Sequence, residues 1–206
     1  MNEIVPRYEF RIFGTCLGMA EQRLRALAPC ESISESREIY LLDGDRVHEM
    51  NVKIRRGKLE LKRLVDRHRG LERWRPDGQW AFPVAPDTLR DTLWPDALPD
   101  LVTARSTMLS GNDLLRLVAH RDVSLQRANV AKRRFRFSLP ACRAELDQLL
   151  VNGAAIESLA VESEDPQALL GLQSTLRLED CENQCYPLAL SRILGITPLP
   201  REEDYG

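Results

Sequence analysis

The amino-acid sequence predicts an α+β protein in which about eight antiparallel strands close into a barrel, with helices packed outside. Three observations support this fold class. Segments in which apolar and charged residues alternate recur along the chain, and alternation with a period of two is typical of strands. Tight-turn signals such as Asn152-Gly153 join successive segments as hairpins. The charged residues keep one alternating phase on several strands, so closing the sheet turns them inward and packs the apolar faces against the helices.

The N-terminal half of the chain carries the clearest strand patterns. Val5–Phe13 alternates, and Cys16–Leu27 has apolar residues at helical spacing. Ser36–Leu42 follows as a strand. Asn51–Lys62 alternates on both sides of Arg56-Gly57, which predicts a β-hairpin with one apolar and one heavily charged face.

The rest of the chain contains one irregular stretch and then a second series of strands. Trp74–Leu98 is rich in proline and tryptophan, which predicts a short strand, loops and a helical turn near Asp87–Leu93. Asn112–Ala119 is a candidate helix. The remaining predicted elements are the strands Val123–Phe137, Cys142–Val151 and Ala154–Glu162, a helix beginning at Asp165-Pro166 and a helix over Asn183–Leu194.

Length and composition limit the class of protein. With 206 residues, 43% hydrophobic and 29% charged, we expect one globular domain over residues 1–206, with a polar tail from about residue 198. The formal charge of −2 excludes a general nucleic-acid-binding role, which needs a large positive excess. No secretory signal pattern and no membrane-spanning apolar run is visible. Cys181 and Cys185 lie four residues apart, but no histidines follow them to complete a metal site. We therefore expect a cytoplasmic protein with reduced thiols and no membrane partner; the oligomeric state is left open.

Basic residues predominate on the strand faces that are predicted to turn inward. Cations confined in a space of low dielectric constant repel one another unless an anion enters. Arginine forks fit phosphate oxygens and lysines add point charge, so the sequence predicts a phosphate-rich small anion as the ligand. The residues predicted to bind it are Arg7, Arg11, Lys53, Arg55, Lys62, Lys132, Arg134 and Arg136.

Three parts of the sequence resemble the triphosphate tunnel metalloenzymes, also called the CYTH superfamily. Arg7-Tyr8-Glu9-Phe10-Arg11 stands where the first strand of that family has Glu-x-Glu-x-Lys. The Asn51–Lys62 hairpin is similar to the basic strand pair that grips phosphate in the family. Lys132–Phe137, the hairpin at Asn152-Gly153 and a late helix containing Tyr186 match the family's C-terminal half in order and spacing. This resemblance spans nearly the whole chain and implies a tunnel that binds a triphosphate, either a nucleotide or inorganic polyphosphate.

The resemblance also implies a divalent metal, Mg²⁺ or Mn²⁺, held by acidic residues on the first and last strands. This chain departs from that pattern. Arg7 replaces one glutamate, which leaves Glu9 as the candidate metal ligand, and Ser158 and Ala160 stand where the last strand should have acids. A hard cation that needs several oxygen ligands would be held weakly or not at all by what remains. Arg7 then either closes the tunnel or replaces the metal with a fixed cation beside Glu9.

Three functions are open at this point. The loss of acids favours a divergent CYTH-like protein that binds a triphosphate-type anion without turnover. The alternative is an active metal-dependent triphosphate phosphohydrolase with Glu9 and Glu60 as catalytic residues, or, more remotely, a nucleotidyl cyclase. The third is a barrel whose inner charges pair with one another and bind no ligand.

Overall fold

Eight antiparallel strands close into one barrel in the computed structural model, which describes residues 5–94, 108–119 and 125–199. The strands are β1 (Tyr8–Gly14), β2 (Ser32–Asp43), β3 (Met50–Arg55), β4 (Lys58–His68), β5 (Leu71–Ala81), β6 (Leu125–Leu139), β7 (Cys142–Val151) and β8 (Ala154–Ser163). Around the barrel they follow the order β1-β5-β4-β3-β2-β6-β7-β8 and return to β1. The predicted fold class is confirmed.

Helices surround the barrel. They are α1 (Gly18–Leu27), α2 (Pro86–Thr88, continued by a π-helical turn over Leu89–Leu93), α3 (Gly111–Val118), α4 (Pro166–Leu176) and α5 (Tyr186–Ile193), with a 3₁₀ turn at Gly44–Arg46. Ser110 caps α3 reciprocally with Asp113, as in a capping box. Across the described ranges, no helix is both long enough and apolar enough to span a membrane.

Two-residue turns set the register of three hairpins. Arg56-Gly57 joins β3 to β4, Arg69-Gly70 joins β4 to β5, and Asn152-Gly153 joins β7 to β8. Both residues of each turn have positive φ, the backbone that matches the right-handed twist of paired strands. Because side chains alternate along a strand, these turns also fix which residues face the lumen.

The apolar faces of the strands point outward and are covered by helices. Leu24 of α1 and Leu169 of α4 pack in one cluster with Phe10 of β1 and other outward residues of β7 and β8. A second cluster packs Leu89 and Leu114 against outward residues of β3 and β4. The hydrophobic core therefore lies largely between the barrel and its helices, which leaves the lumen free to carry polar residues.

One end of the lumen is apolar and closed. Tyr186 and Leu190 of α5 pack there against Leu42, Ala128 and Val151, which lie on β2, β6 and β7. Toward the opposite end of the same strands the inward side chains become charged and more exposed. The lumen is thus a pocket with an apolar floor and one polar mouth.

The chain just before α5 fills a gap between β1 and β5. These strands pair only at Tyr8 and Glu9. Beyond that point the Arg11 backbone N–H donates to Asn183 Oδ1 at 2.8 Å, and the Gln184 N–H donates to the Arg11 carbonyl at 2.8 Å. These bonds hold Arg11 in place and anchor the start of α5 over the lumen.

The clearest departure from the predicted elements is β5. The proline-rich stretch was expected to form a short strand and loops, yet Leu71–Ala81 is an eleven-residue strand. Pro76 pairs opposite Lys62, where the register of β4 shifts after Leu61; such a bulge tolerates a residue without a backbone N–H. Parts of three predicted segments lie outside the described residues. They are the first two residues of the strand predicted over Val123–Phe137, the end of the Trp74–Leu98 stretch, and the predicted polar tail from residue 200 onward.

Candidate functional site in the barrel lumen

The polar part of the lumen encloses a cavity of about 130 Å³ to which every strand of the barrel contributes. Six cations and four carboxylates line it. They are Glu9, Arg11, Lys53, Arg55, Glu60, Lys62, Lys132, Arg134, Glu145 and Glu162. Such a density of charge in a confined space makes this cavity the candidate functional site.

One side of the cavity is formed by β3 and β4, and we call Lys53, Arg55, Glu60 and Lys62 the hairpin wall. Arg55 Nη2 lies 3.0 Å from Glu60 Oε2, and Lys53 Nζ lies 3.1 Å from Glu38 Oε2 of β2. Within the described residues Lys62 has no ion pair. Burial lowers the pKa of Lys53, and although Glu38 opposes this, repulsion from Arg55 and Lys62 adds to it. The hairpin wall therefore carries three cations against one carboxylate of its own.

The opposite side, formed by β1, β6 and β7, has no surplus of cations, and we call Arg11, Arg134, Glu9, Glu145 and Asp147 the Arg11 cluster. Arg11 Nε donates to Glu9 Oε1 at 2.8 Å, and Arg134 Nε donates to Asp147 Oδ1 at 2.8 Å. Arg134 Nη1 also lies 2.9 Å from Glu145 Oε2. Burial alone would raise the pKa of Asp147, but the bond from Arg134 and the nearby cations outweigh it and lower that pKa to about 2.

Between the two walls and the apolar floor lies a layer of tyrosines and buried charges. Tyr186 donates to Asp147 Oδ2 at 2.6 Å, and Tyr40 donates to Glu38 Oε2 at 2.8 Å. The two rings stack with centroids 5.4 Å apart, and Lys132 Nζ lies 4.0 Å from the Tyr186 ring centroid. Burial lowers the pKa of Lys132 to about 7 despite the attraction of Asp147 and Glu38. These contacts satisfy the deep polar groups and close the cavity from below.

Two further acids flank Glu9 on neighbouring strands. Glu162 of β8 and Glu72 of β5 each pair in register with Glu9. Burial and the charge of Glu9 raise the pKa of Glu162 to about 7, and burial also raises the pKa of Glu72. In the described part of the chain, Glu162 has no ion pair or side-chain hydrogen bond. Arg11 and Lys62 keep the pKa of Glu9 low against the effect of burial, so Glu9 is ionised.

The structure brings together eight of the ten site residues predicted from the sequence. Glu9, Glu60 and six of the predicted cations line the cavity. Arg7 and Arg136 are not among its lining residues. Arg136 stands at the mouth, 46% exposed, with Nε 3.5 Å from Glu145 Oε1. Arg7 Nη2 lies 3.5 Å from Glu164 Oε1 instead, and the cation beside Glu9 is Arg11.

The lumen contains more acidic residues than were predicted from the sequence. Glu38, Asp147 and Tyr186 were not among the predicted site residues, yet they anchor its deepest bonds. Glu38 has the same strand phase as Tyr40, so the alternation of β2 was an available signal. Its partner Lys132 is 94 residues away, and alternation alone does not tell which strands become neighbours. The surplus of cations is therefore confined to the hairpin wall.

The acids of the lumen do not fit a divalent metal. No group of three or more histidine, cysteine, aspartate or glutamate residues in the described ranges is arranged to hold one. Glu9 and Asp147 are directed at arginines, and Ser158 Oγ accepts from Arg11 Nη1 at 3.0 Å. Mg²⁺ and Mn²⁺ need free oxygen ligands near one point, and here a guanidinium occupies that point.

Comparison with known proteins gives similarity to solved structures only. No protein-family model matches the sequence, and no curated protein matches it. HpAC1 from Hippeastrum, described as having a dominant triphosphatase activity, is 13% identical with a TM-score of 0.49, covering 95% of this chain and 99% of that chain. PH1819 from Pyrococcus horikoshii OT3 is 13% identical with a TM-score of 0.48, covering 90% and 99%. PH1012 from the same organism is 15% identical with a TM-score of 0.47, covering 90% and 98%. At such identities and TM-scores the similarity assigns no role to any side chain of this protein.

Proposed function

We propose that this protein is a divergent CYTH-like tunnel protein that binds a triphosphate-type anion in its lumen and does not turn it over. The main support for this proposal is the surplus of cations on the hairpin wall. Three cations there face one cavity with a single carboxylate of their own wall, and Lys62 lacks an ion pair among the described residues. An anion placed between them would relieve the repulsion that contributes to lowering the pKa of Lys53.

The chemistry of the hairpin wall suits phosphate. Arg55 stays paired with Glu60 through Nε and Nη2, and its Nη1 can donate to a phosphate oxygen. Lys53 and Lys62 offer ammonium groups that line the same cavity. Asn51 pairs in register with Lys62, and its buried Oδ1 has no hydrogen-bond partner in the described part of the chain. Rotation of that amide would give the anion one more donor. Among the described residues α5 closes one end of the lumen, so we expect the terminal phosphates to enter from the other end and any nucleoside to remain outside.

Binding without turnover follows from the state of the two predicted catalytic acids. Glu9 accepts from Arg11 and Glu60 accepts from Arg55. The pKa of Glu9 is lowered, and a carboxylate of low pKa that is tied to a guanidinium is a weak proton acceptor near neutral pH. Neither residue is therefore free to activate water.

A second candidate function is a triphosphate phosphohydrolase, and Glu162 favours it. This acid lines the cavity, its pKa is raised to about 7, and within the described residues it has no partner. A group with that pKa can act as a general base at neutral pH. Hydrolysis that is lost in Glu162→Gln would establish this second function in place of the first.

The first experiment is the thermal stability of the purified protein with tripolyphosphate, ATP or GTP, while phosphate release is followed in parallel. A ligand at 100 times its dissociation constant adds about 2.7 kcal/mol to the free energy of unfolding, which is an easily measured shift in Tm. We expect a shift and no phosphate release. If no anion raises Tm, the proposal is wrong and the inner charges form a structural network only.

A matched pair of variants locates the binding. Lys62→Gln removes a cation from the hairpin wall, whereas Arg133→Gln removes one from the outer face of β6, where Arg133 is half exposed and pairs with Glu35. Loss of a charge-assisted contact weakens binding by about 1.5–3 kcal/mol. We expect that loss for Lys62→Gln and none for Arg133→Gln; equal losses would place the anion outside the lumen.

A further inference from the structure

Arg11 stands where several oxygen ligands converge. Its guanidinium lies 2.8 Å from Glu9 Oε1, 3.5 Å from Asp147 Oδ2 and 3.8 Å from Glu145 Oε2. Ser158 Oγ completes the set at 3.0 Å. Three carboxylates and a hydroxyl thus surround one guanidinium, and their negative charge in a buried site has to be offset by a cation, which Arg11 supplies.

The guanidinium is fixed in this position and is not a mobile surface group. Arg11 is 3% exposed, and its Cζ lies 4.6 Å from the centroid of the Tyr186 ring. Its backbone is held on both sides by Asn183 and Gln184. If the Arg11 guanidinium moved away, Asp147, which is fully buried, would have fewer cations near it. Uncompensated charge is strongly unfavourable in the protein interior.

We propose that Arg11 is a built-in cation that takes the place of a divalent metal, so that the lumen binds its anion without one. The proposal rests on the proposed function and adds the regulation of that site. Anion affinity then depends on the hairpin wall and on the fixed charge of Arg11. Divalent cations compete for the phosphate in solution and do not assist its binding.

Two measurements on the wild-type protein test this independently of any variant. The first is calorimetric titration with tripolyphosphate in EDTA and, separately, in Mn²⁺. We expect binding in EDTA, and binding that requires Mn²⁺ would overturn the inference while leaving the proposed function intact. The second is titration of the protein with Mn²⁺ alone, followed by electron paramagnetic resonance. We expect no bound Mn²⁺ up to about 1 mM, the weak end of protein sites for divalent cations, and a site that fills below this would overturn the inference.

If tripolyphosphate binds under neither condition, the proposed function fails and metal-independent binding fails with it. The Mn²⁺ titration still decides whether Arg11 fills the place of a metal. The two failures are therefore distinguishable.

Variants at Arg11 sharpen the result. Arg11→Ala leaves the surrounding carboxylates without that cation, so we expect this variant to recruit Mn²⁺ as a replacement charge and to gain thermal stability from it, which the wild type does not. Arg11→Lys keeps a cation in place and should behave like the wild type. If Arg11→Ala folds and ignores Mn²⁺, the converging oxygens are not a cation site and the inference is wrong. If it does not fold without metal, its refolding in Mn²⁺ gives the same readout.

Discussion

The two sides of the lumen differ in how the charge of their cations is neutralised. In the Arg11 cluster two arginines face three carboxylates, and Arg11 and Asp147 at its centre are buried. In the hairpin wall the cations outnumber the carboxylate, and Arg55 is about one third exposed. Charge in this barrel therefore has two roles. The ion pairs of the Arg11 cluster link neighbouring strands, whereas the hairpin wall keeps a surplus of positive charge that a bound anion can neutralise.

The largest expected effect is on the Arg11 cluster. Asp147→Asn removes the negative charge that Arg134, Arg11 and Lys132 share. Breaking a buried pair from one side leaves uncompensated charge, so the free energy of unfolding should fall by about 3–5 kcal/mol. Urea denaturation measures this. The control is Glu60→Gln in the hairpin wall, which should lower it by less than about 1 kcal/mol because its partner Arg55 can reach solvent. Similar losses for the two variants would erase the distinction.

A smaller effect, with a defined sign, comes from Glu162. Its pKa is raised to about 7 in the folded protein, so protonation favours the folded state below its ordinary pKa near 4.5, and that contribution is lost as pH rises through about 7. Glu162→Gln cannot ionise, so its free energy of unfolding relative to the wild type should increase by about 2–3 kcal/mol between pH 5 and pH 8. Melting curves at the two pH values measure the change. Glu164→Gln, at an exposed acid two residues away, is the control. A difference that stays constant with pH would mean that Glu162 is ionised and solvated throughout.

The smallest expected effect is that of a substitution at Lys62 on the free energy of unfolding. Because this side chain has no ion pair in the described part of the chain and repels Lys53, Lys62→Gln should change the free energy of unfolding by less than about 0.5 kcal/mol. The same substitution is expected to weaken anion binding strongly. A large loss of stability would show instead that Lys62 belongs to the structural network.

Much of the barrel could be predicted from the sequence because alternation is a local signal. The alternation of residues in β1, β3, β4 and β6 indicates directly which of their side chains face the lumen. The turns at Arg56-Gly57 and Asn152-Gly153 set the register of two hairpins. Closure follows from the recurrence of charge on the same face. β5 was underestimated because Pro76 interrupts the pattern, and the neighbouring bulge at Asp77 of β5 makes the proline tolerable.

The pairing inside the lumen could not be predicted in the same way. Whether Arg134 meets Asp147 or a ligand depends on which strands become neighbours and on how deep each side chain lies. Tyr186 reaches the lumen from a helix, so no strand pattern indicates it. Arg7 and Arg11 have the same phase in the sequence, and only the start of β1 at Tyr8 separates the arginine at the surface from the buried one.

The most direct test of the central claim is a crystal structure of the protein with tripolyphosphate, grown in EDTA. We expect the anion in the lumen within hydrogen-bond distance of Lys53, Arg55 and Lys62, with Arg11 still paired to Glu9. An anion bound only to the outer surface, or a lumen that admits it only with a metal among Glu9 and its neighbours, would contradict this account.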